Sequence, residues 1–379
     1  MLRASCRRLL SALVALPLIA GLVLVPSVAT HANVLSHTGR IAFDDYITGQ
    51  IYSVNPDGTA LVQLTHFGNG QFAIWPHWSP DGTHLVFARN KGGNFRLWIM
   101  DANGHHLHMV ARDGNGTNDL APTYTPDGKR LVFSRCRPDP PGGCALFFVR
   151  TDGTHRQTLT PFHLDDVDFG SSVSPDGSRI AFARFNANGI TSQIYVMHSD
   201  GSGAHALTAP ALEGFAPQWS SDGRRITFSS DSGRLGSNVY SMDADGRRLR
   251  HLTNSTFPNN DFDPAYSPLG DRIVFASDRR YSDFCCSDLF VMRTNGTGAT
   301  FIDTGLTGVE NPAWGTASLV DARSRAATSS SLAPAGSRIS RGDSAWCWVL
   351  PSPLRAKQRC AEAPRGSTVR GAAKHPRTP

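Results

Sequence analysis

The sequence predicts an all-β protein, a six-bladed β-propeller with four-stranded blades. Three observations predict it. The turn Trp78-Ser79-Pro80-Asp81-Gly82 returns with its glycine at Gly128, Gly177, Gly223 and Gly270, at intervals of 46, 49, 46 and 47 residues. An Asp-Gly or Asn-Gly turn ends at Gly58, Gly104, Gly153, Gly201, Gly246 and Gly296, at intervals of 46, 49, 48, 45 and 50 residues. A fixed period of this size marks a propeller or a solenoid. The repeat also begins and ends out of phase, which points to a closed ring.

Each unit reads as four short strands. In the unit around Trp78, residues near 74–78 form a first run, and Ser79-Pro80-Asp81-Gly82 forms a turn. Leu85-Val86-Phe87-Ala88 forms a second run, and residues 96–100 a third. Asn103-Gly104 suits a two-residue hairpin, whose central positions need the positive φ that Asn and Gly tolerate. Residues near 107–111 close the unit. No unit has room for a helix of ordinary length, and four strands per period is one propeller blade.

Gly39-Arg40-Ile41-Ala42-Phe43 matches Arg179-Ile180-Ala181-Phe182, a second strand, so the first blade lacks its first strand. Pro312-Ala313-Trp314 matches a first strand with nothing after it. The C-terminal strand is therefore expected to complete the blade made from residues 40–66, which removes the open sheet edges that invite aggregation. Deletion after residue 305 is expected to unfold the ring, and deletion after residue 320 is not.

Pro217-Gln218-Trp219-Ser220-Ser221-Asp222-Gly223, then Val239-Tyr240-Ser241-Met242-Asp243-Ala244-Asp245-Gly246 and Leu252-Thr253, resembles the WD40-like (PD40) repeat of TolB-type β-propellers. The resemblance covers residues 39–316, in five full copies and two partial ones. Ser221 in place of Pro, Leu269 in place of Asp and Val173 in place of the aromatic depart from the pattern. The resemblance is to the propeller alone, without the α/β domain that precedes it in TolB. It implies an exported, protein-binding scaffold, and nothing that depends on the other domain.

Arg3, Arg7 and Arg8 precede an apolar run from Leu9 to Pro26, followed by small residues. Residues 1–32 read as a secretory signal peptide cleaved after Ala29 or Ala32, with an uncleaved membrane anchor as the alternative. Export to the periplasm or the extracellular space follows, with no membrane contact beyond this segment. Residues 33–316 form the propeller. Residues 317–379, rich in Ala, Ser, Arg and Pro, read as a disordered basic tail.

The tail holds 11 Lys/Arg and 3 Asp/Glu, and residues 1–32 hold three Arg and no acid. The chain as a whole is +6, which leaves the propeller near −5. The basic charge thus belongs to the ends, and nucleic acid is not an expected partner.

Six of the seven cysteines lie beyond the leader. Cys136 and Cys144 bracket a hairpin and are a disulfide candidate in an exported chain. Cys285 and Cys286 are vicinal, and the choice between pairing with each other and pairing with Cys347 and Cys360 stays open. His105, His106 and His108 read as solvated strand residues, because two histidines on one face without a carboxylate make a poor metal site. No Gly-x-Ser-x-Gly elbow occurs, which argues against a serine hydrolase.

The candidate site lies just before each first strand. Asp119, Asp168 and Asp261 each fall three residues before the positions of Pro122, Ser171 and Pro264. Asp263 lies one before Pro264, Glu310 two before Pro312 and Glu213 four before Pro217. Phe169, Phe215 and Phe262 occupy the positions two before. The first strand of a blade is the innermost, so these loops are expected to converge on one mouth of the central channel as an acidic ring mixed with aromatics. Repeated aspartates also cap turns, which is the simpler reading.

As a site, the mouth would bind a protein or peptide partner in the cell envelope, or a hard cation such as Ca²⁺. No cofactor is required and a monomer is expected. The alternative is a metal-assisted lyase or hydrolase of a sugar or lactone that uses the mouth carboxylates; fold alone does not decide between them.

Overall fold

The computed structural model describes residues 39–316, except 92, 112–115, 138–142, 164–165, 187–190, 232–235, 257 and 282–285. The predicted leader and tail, with Cys347 and Cys360, lie outside the described residues, as does Cys285. Six four-stranded antiparallel sheets form the six blades of a propeller.

From the axis outward, blade 1 contains Val309–Gly315, Arg40–Asp45, Gln50–Val54 and Val62–Gln63. Blade 2 begins with Ala73–Trp78 and His84–Arg89, and blade 3 with Asn118–Tyr124 and Arg130–Arg137. Blade 4 begins with Asp166–Val173 and Arg179–Asn186, blade 5 with Gly214–Trp219 and Arg225–Ser230, and blade 6 with Asp261–Tyr266 and Arg272–Ser277. Val309–Gly315 pairs with Arg40–Asp45, with Ile41 opposite Trp314 and Asp44 opposite Glu310. The ring thus closes as the phase of the repeat requires.

Both repeated motifs have a local cause. In the first, the Ser79 hydroxyl donates to Asp81 at 2.6 Å, and Asp81 accepts the backbone N–H of Thr83 at 3.1 Å. These bonds hold the Asp81 carboxyl below its usual range, with the Ser79 hydroxyl the largest cause. In blade 6, where Leu269 replaces the aspartate, Ser267 donates instead to Asp271 at 2.8 Å. The turn survives, and Leu269 stands exposed.

The second motif joins the blades. The glycines at 104, 153, 201, 246 and 296 all have positive φ, between 82° and 91°. A Cβ on any of them would collide with a carbonyl oxygen of the preceding blade, at Leu64, Val110, Leu159, Leu207 and Leu252 respectively. The glycine is required twice over, by conformation and by the closeness of the next sheet.

Each second strand carries one fully buried phenylalanine: Phe43, Phe87, Phe133, Phe182, Phe228 and Phe275. They pack between neighbouring sheets. Each contributes about 1.5–3 kcal/mol of apolar burial, which makes the inter-blade layers the main store of stability.

Candidate functional site

The innermost strands share an irregularity that their sequence does not announce. In five of the blades a non-glycine residue takes positive φ: Trp75 at 54°, Ala121 at 48°, Ala216 at 48°, Asp263 at 52° and Asn311 at 52°. Blade 4 places Gly170 there, at 61°. The pairing register shifts at the same point in every blade. This is a β-bulge repeated six times, and it re-aims the side chains around it toward the axis.

The bulges surround an axial cavity of about 190 Å³. All six inner strands line it, and its two halves differ. On one side stand Trp75, Phe169, Phe185 and Phe215; on the other, Asp263, Glu310 and Asn311. Trp75 and Phe169 meet edge to face with ring centroids 5.4 Å apart, although blade 3 separates their blades in sequence.

Four of the nine predicted mouth residues therefore line the cavity: Phe169, Phe215, Asp263 and Glu310. The other five do not. Asp119, Asp168 and Asp261 are buried and engaged by arginines of their own blades. Arg135 reaches Asp119 at 2.7 and 2.9 Å, and Arg184 reaches Asp168 at 2.6 and 2.9 Å. Arg279 reaches Asp261 at 2.5 Å, and Ser255 donates to the other oxygen at 2.7 Å. In three blades the residues of the expected acidic ring are thus internal ion pairs, where the arginine offsets the cost of burying the carboxylate. Phe262 is buried and does not line the cavity. Glu213 caps the short 3₁₀ turn Pro210–Leu212, and burial, followed by the nearby Asp231, raises its carboxyl.

Sequence reasoning missed Asp44. It comes from a second strand, at the position after the buried phenylalanine, where the other blades carry Ala88, Ser134, Ala183, Ser229 and Ala276. Asp44 is the one charged residue in that series, which was the available signal. It is 1% exposed. It accepts the Trp75 backbone N–H at 2.9 Å and the Asn311 amide at 3.0 and 3.2 Å. Burial first, then the neighbouring Glu310, push its carboxyl well above the usual range, and Asp263 adds to the effect. Asp263 presents a carboxylate oxygen, Oδ2, that is buried without a hydrogen-bond partner.

His77 also lines the cavity. Burial lowers its pKa to about 4, so the ring is neutral at neutral pH. Its Nδ1 lies 2.9 Å from the Trp78 carbonyl, which can only accept, so Nδ1 carries the proton. Nε2 then accepts from the Thr123 hydroxyl at 3.0 Å. Both nitrogens are engaged, and the Nε2 bond joins the inner strands of blades 2 and 3.

Among the described residues no group of three His, Cys, Asp or Glu side chains is placed to hold a metal ion. His106 contacts Asp101 at 2.5 Å on the exposed outer edge of blade 2, and His108 contacts the His106 carbonyl at 3.1 Å. Cys136 and Cys144 form a disulfide across the hairpin of blade 3, and Cys286 is half-buried.

The profile of the TolB β-propeller domain family, PD40, matches residues 35–213 and 145–318. The chain belongs to this family. A TolB homologue from Chlorobium luteolum is 29% identical over 156 residues, which cover 41% of this chain and 32% of that protein. An uncharacterized peptidase of Bacillus subtilis, YuxL, is 30% identical over 119 residues, 29% of this chain and 18% of that protein. The chain thus spans a third or less of the length of these curated relatives. Among solved structures, TolB from Acinetobacter baumannii superposes with a TM-score of 0.59 at 20% identity, covering 74% of this chain and 67% of that one. That likeness is one of fold.

Proposed function

We propose that this PD40 propeller is an exported binding scaffold of the cell envelope that presents its axial cavity to a protein or peptide partner. The observation that carries the reading is the cavity itself, lined by all six inner strands and divided into an aromatic and an acidic half. A rigid ring with a concave, partly apolar site holds an anchor side chain with little ordering cost. The volume of about 190 Å³ falls below the roughly 300–1,000 Å³ of pockets that enclose a whole small-molecule ligand. One or two inserted side chains fit it better than an oligosaccharide does. Family membership and the apolar leader favour the envelope as the place of action.

The test is a pull-down from envelope extract with the full chain and with a Trp75→Ala/Phe215→Ala variant whose melting shows it to be folded. A protein retained by the parent and lost with the folded variant supports the reading. Equal retention by both moves the site elsewhere on the ring.

A further inference from the structure

We propose that the group admitted to the axial cavity is a lysine or arginine side chain of the partner, its methylenes on the aromatic wall and its charged head toward Asp263. This rests on the binding-scaffold reading above and names the chemistry its site selects.

Charge complementarity carries the inference. In blades 3, 4 and 6 the deeply buried aspartate near the start of the inner strand has an arginine on it, as Asp119, Asp168 and Asp261 show. The acidic half of the cavity is built differently. Even Asp44, buried behind Asn311, is held by an amide side chain and a backbone N–H, neither of them cationic. Asp263 keeps a buried oxygen with no hydrogen bond at all. Among the described residues that line the cavity there is no lysine or arginine, and His77 is neutral. A buried carboxylate oxygen left in this way gains from a donor brought by a ligand.

The opposite wall decides what kind of cation. A hard metal ion requires several oxygen ligands at once, and among the described residues no three His, Cys, Asp or Glu side chains are placed to hold one together. The rings of Trp75, Phe169 and Phe215 face the same small space. Aromatic faces attract organic cations and cover alkyl chains, which is the recognition chemistry of lysine and arginine side chains. The ring supplies the same pairing internally: the Arg184 guanidinium lies 4.7 Å from the centroid of Tyr195 while it grips Asp168. In the cavity the aromatics and the open oxygen of Asp263 are present, and the cation for it is left for a partner to bring.

The experiment uses the full chain and two probes of matched shape, Nα-acetyl-lysine methylamide and Nα-acetyl-norleucine methylamide, followed by calorimetry and by the fluorescence of Trp75, with Trp75→Phe as the optical control. The expected result is a preference of about ten-fold or more for the lysine probe, the size of a partly desolvated cation–π and ion-pair contact. Asp263→Asn/Glu310→Gln should abolish that preference and leave norleucine binding unchanged. Asn tolerates the positive φ at position 263, so the variant is expected to fold, and its melting checks this.

Equal binding of the two probes, or none of either at millimolar concentration, overturns the proposal. So does a preference that survives in the double variant, or calcium displacing the lysine probe at stoichiometric concentration. Binding seen only after truncation at residue 320 overturns it too, since the occupant is then the chain's own basic tail. A partner retained in the pull-down together with no lysine preference would leave the cavity as the binding site and refute only the chemistry assigned to it.

Discussion

The guanidinium of Arg184 grips both carboxylate oxygens of Asp168, at 2.6 and 2.9 Å, across the first two strands of blade 4. Asp168 is fully buried. This pair, with its counterparts in blades 3 and 6, belongs to the framework of the ring. Removing one partner of such a pair strands a charge, at a cost of about 3 kcal/mol. Asp168→Asn and Arg184→Met are each expected to lower the denaturant midpoint markedly at unchanged slope. A double-mutant cycle with both substitutions should recover much of the loss. A negligible effect of either single substitution in urea unfolding would remove this account.

The Gly153 turn is expected to tolerate no side chain. Gly153→Ala places a methyl group against the Val110 carbonyl of blade 2 at a φ of 82°. Strain and overpacking together should cost about 2–4 kcal/mol. Gly70, which has a φ of 78° and nothing within 4 Å of where a methyl group would stand, supplies the control. Gly70→Ala should cost only about 1 kcal/mol. Calorimetric melting of the two variants separates the effect of closeness from that of conformation.

Asp44 is expected to make stability fall as pH rises. Its folded-state carboxyl titrates well above the usual range, chiefly through burial, whereas the unfolded aspartate titrates at about 3.9. Between those two values the folded protein holds the extra proton, so raising the pH through that window disfavours folding. Each tenfold difference in proton affinity between the two states corresponds to about 1.4 kcal/mol. Asp44→Asn lacks this penalty. The melting temperature of the variant relative to the parent should therefore rise between pH 4 and pH 7. A constant difference across that range would show that the carboxyl is not perturbed.

The disulfide between Cys136 and Cys144 closes a short loop, its ends 8 residues apart. Loop-closure entropy for such a loop gives about 2.5 kcal/mol. Cys136→Ala/Cys144→Ala should remain folded and melt several degrees lower, and a reductant should shift the parent toward the variant in the same thermal scan.

Much of the architecture could be read from the residues because it is held by local chemistry repeated at fixed spacing. Ser79 and Asp81 make their turn among themselves, and Gly104 marks its hairpin without reference to the rest of the fold. Ring closure was legible for a related reason, since Pro312-Ala313-Trp314 is an inner strand with no blade of its own. The cavity was harder. The spacing of Asp119, Asp168 and Asp261 is regular, yet Arg135 and Arg184 sit opposite the first two in the sheet and turn them into framework. Those arginines follow the buried Phe133 and Phe182 by two residues, so the pairing was visible in principle. The bulges at Trp75 and Asn311 were not visible. Asn311 tolerates positive φ by type but Trp75 does not, and one tolerant residue inside a strand does not announce a bulge; the conformation is imposed by the inner strand's fit to the ring. Asp44 supports Trp75 and Asn311 from another strand altogether, so no count along the inner strands could find it.

The closing strand has a consequence for when the protein can become itself. Asn311 and Asp44 touch although 267 residues separate them. Blades 2 to 6 can each form as soon as their own residues are present, because every strand they need lies within one repeat. Blade 1 must wait, with the edge of Arg40–Asp45 unmatched, until Val309–Gly315 arrives. Synthesis delivers that strand near the end of the propeller. The chain therefore stays an open arc while it is being made, and the axial cavity is enclosed only once Val309–Gly315 has docked.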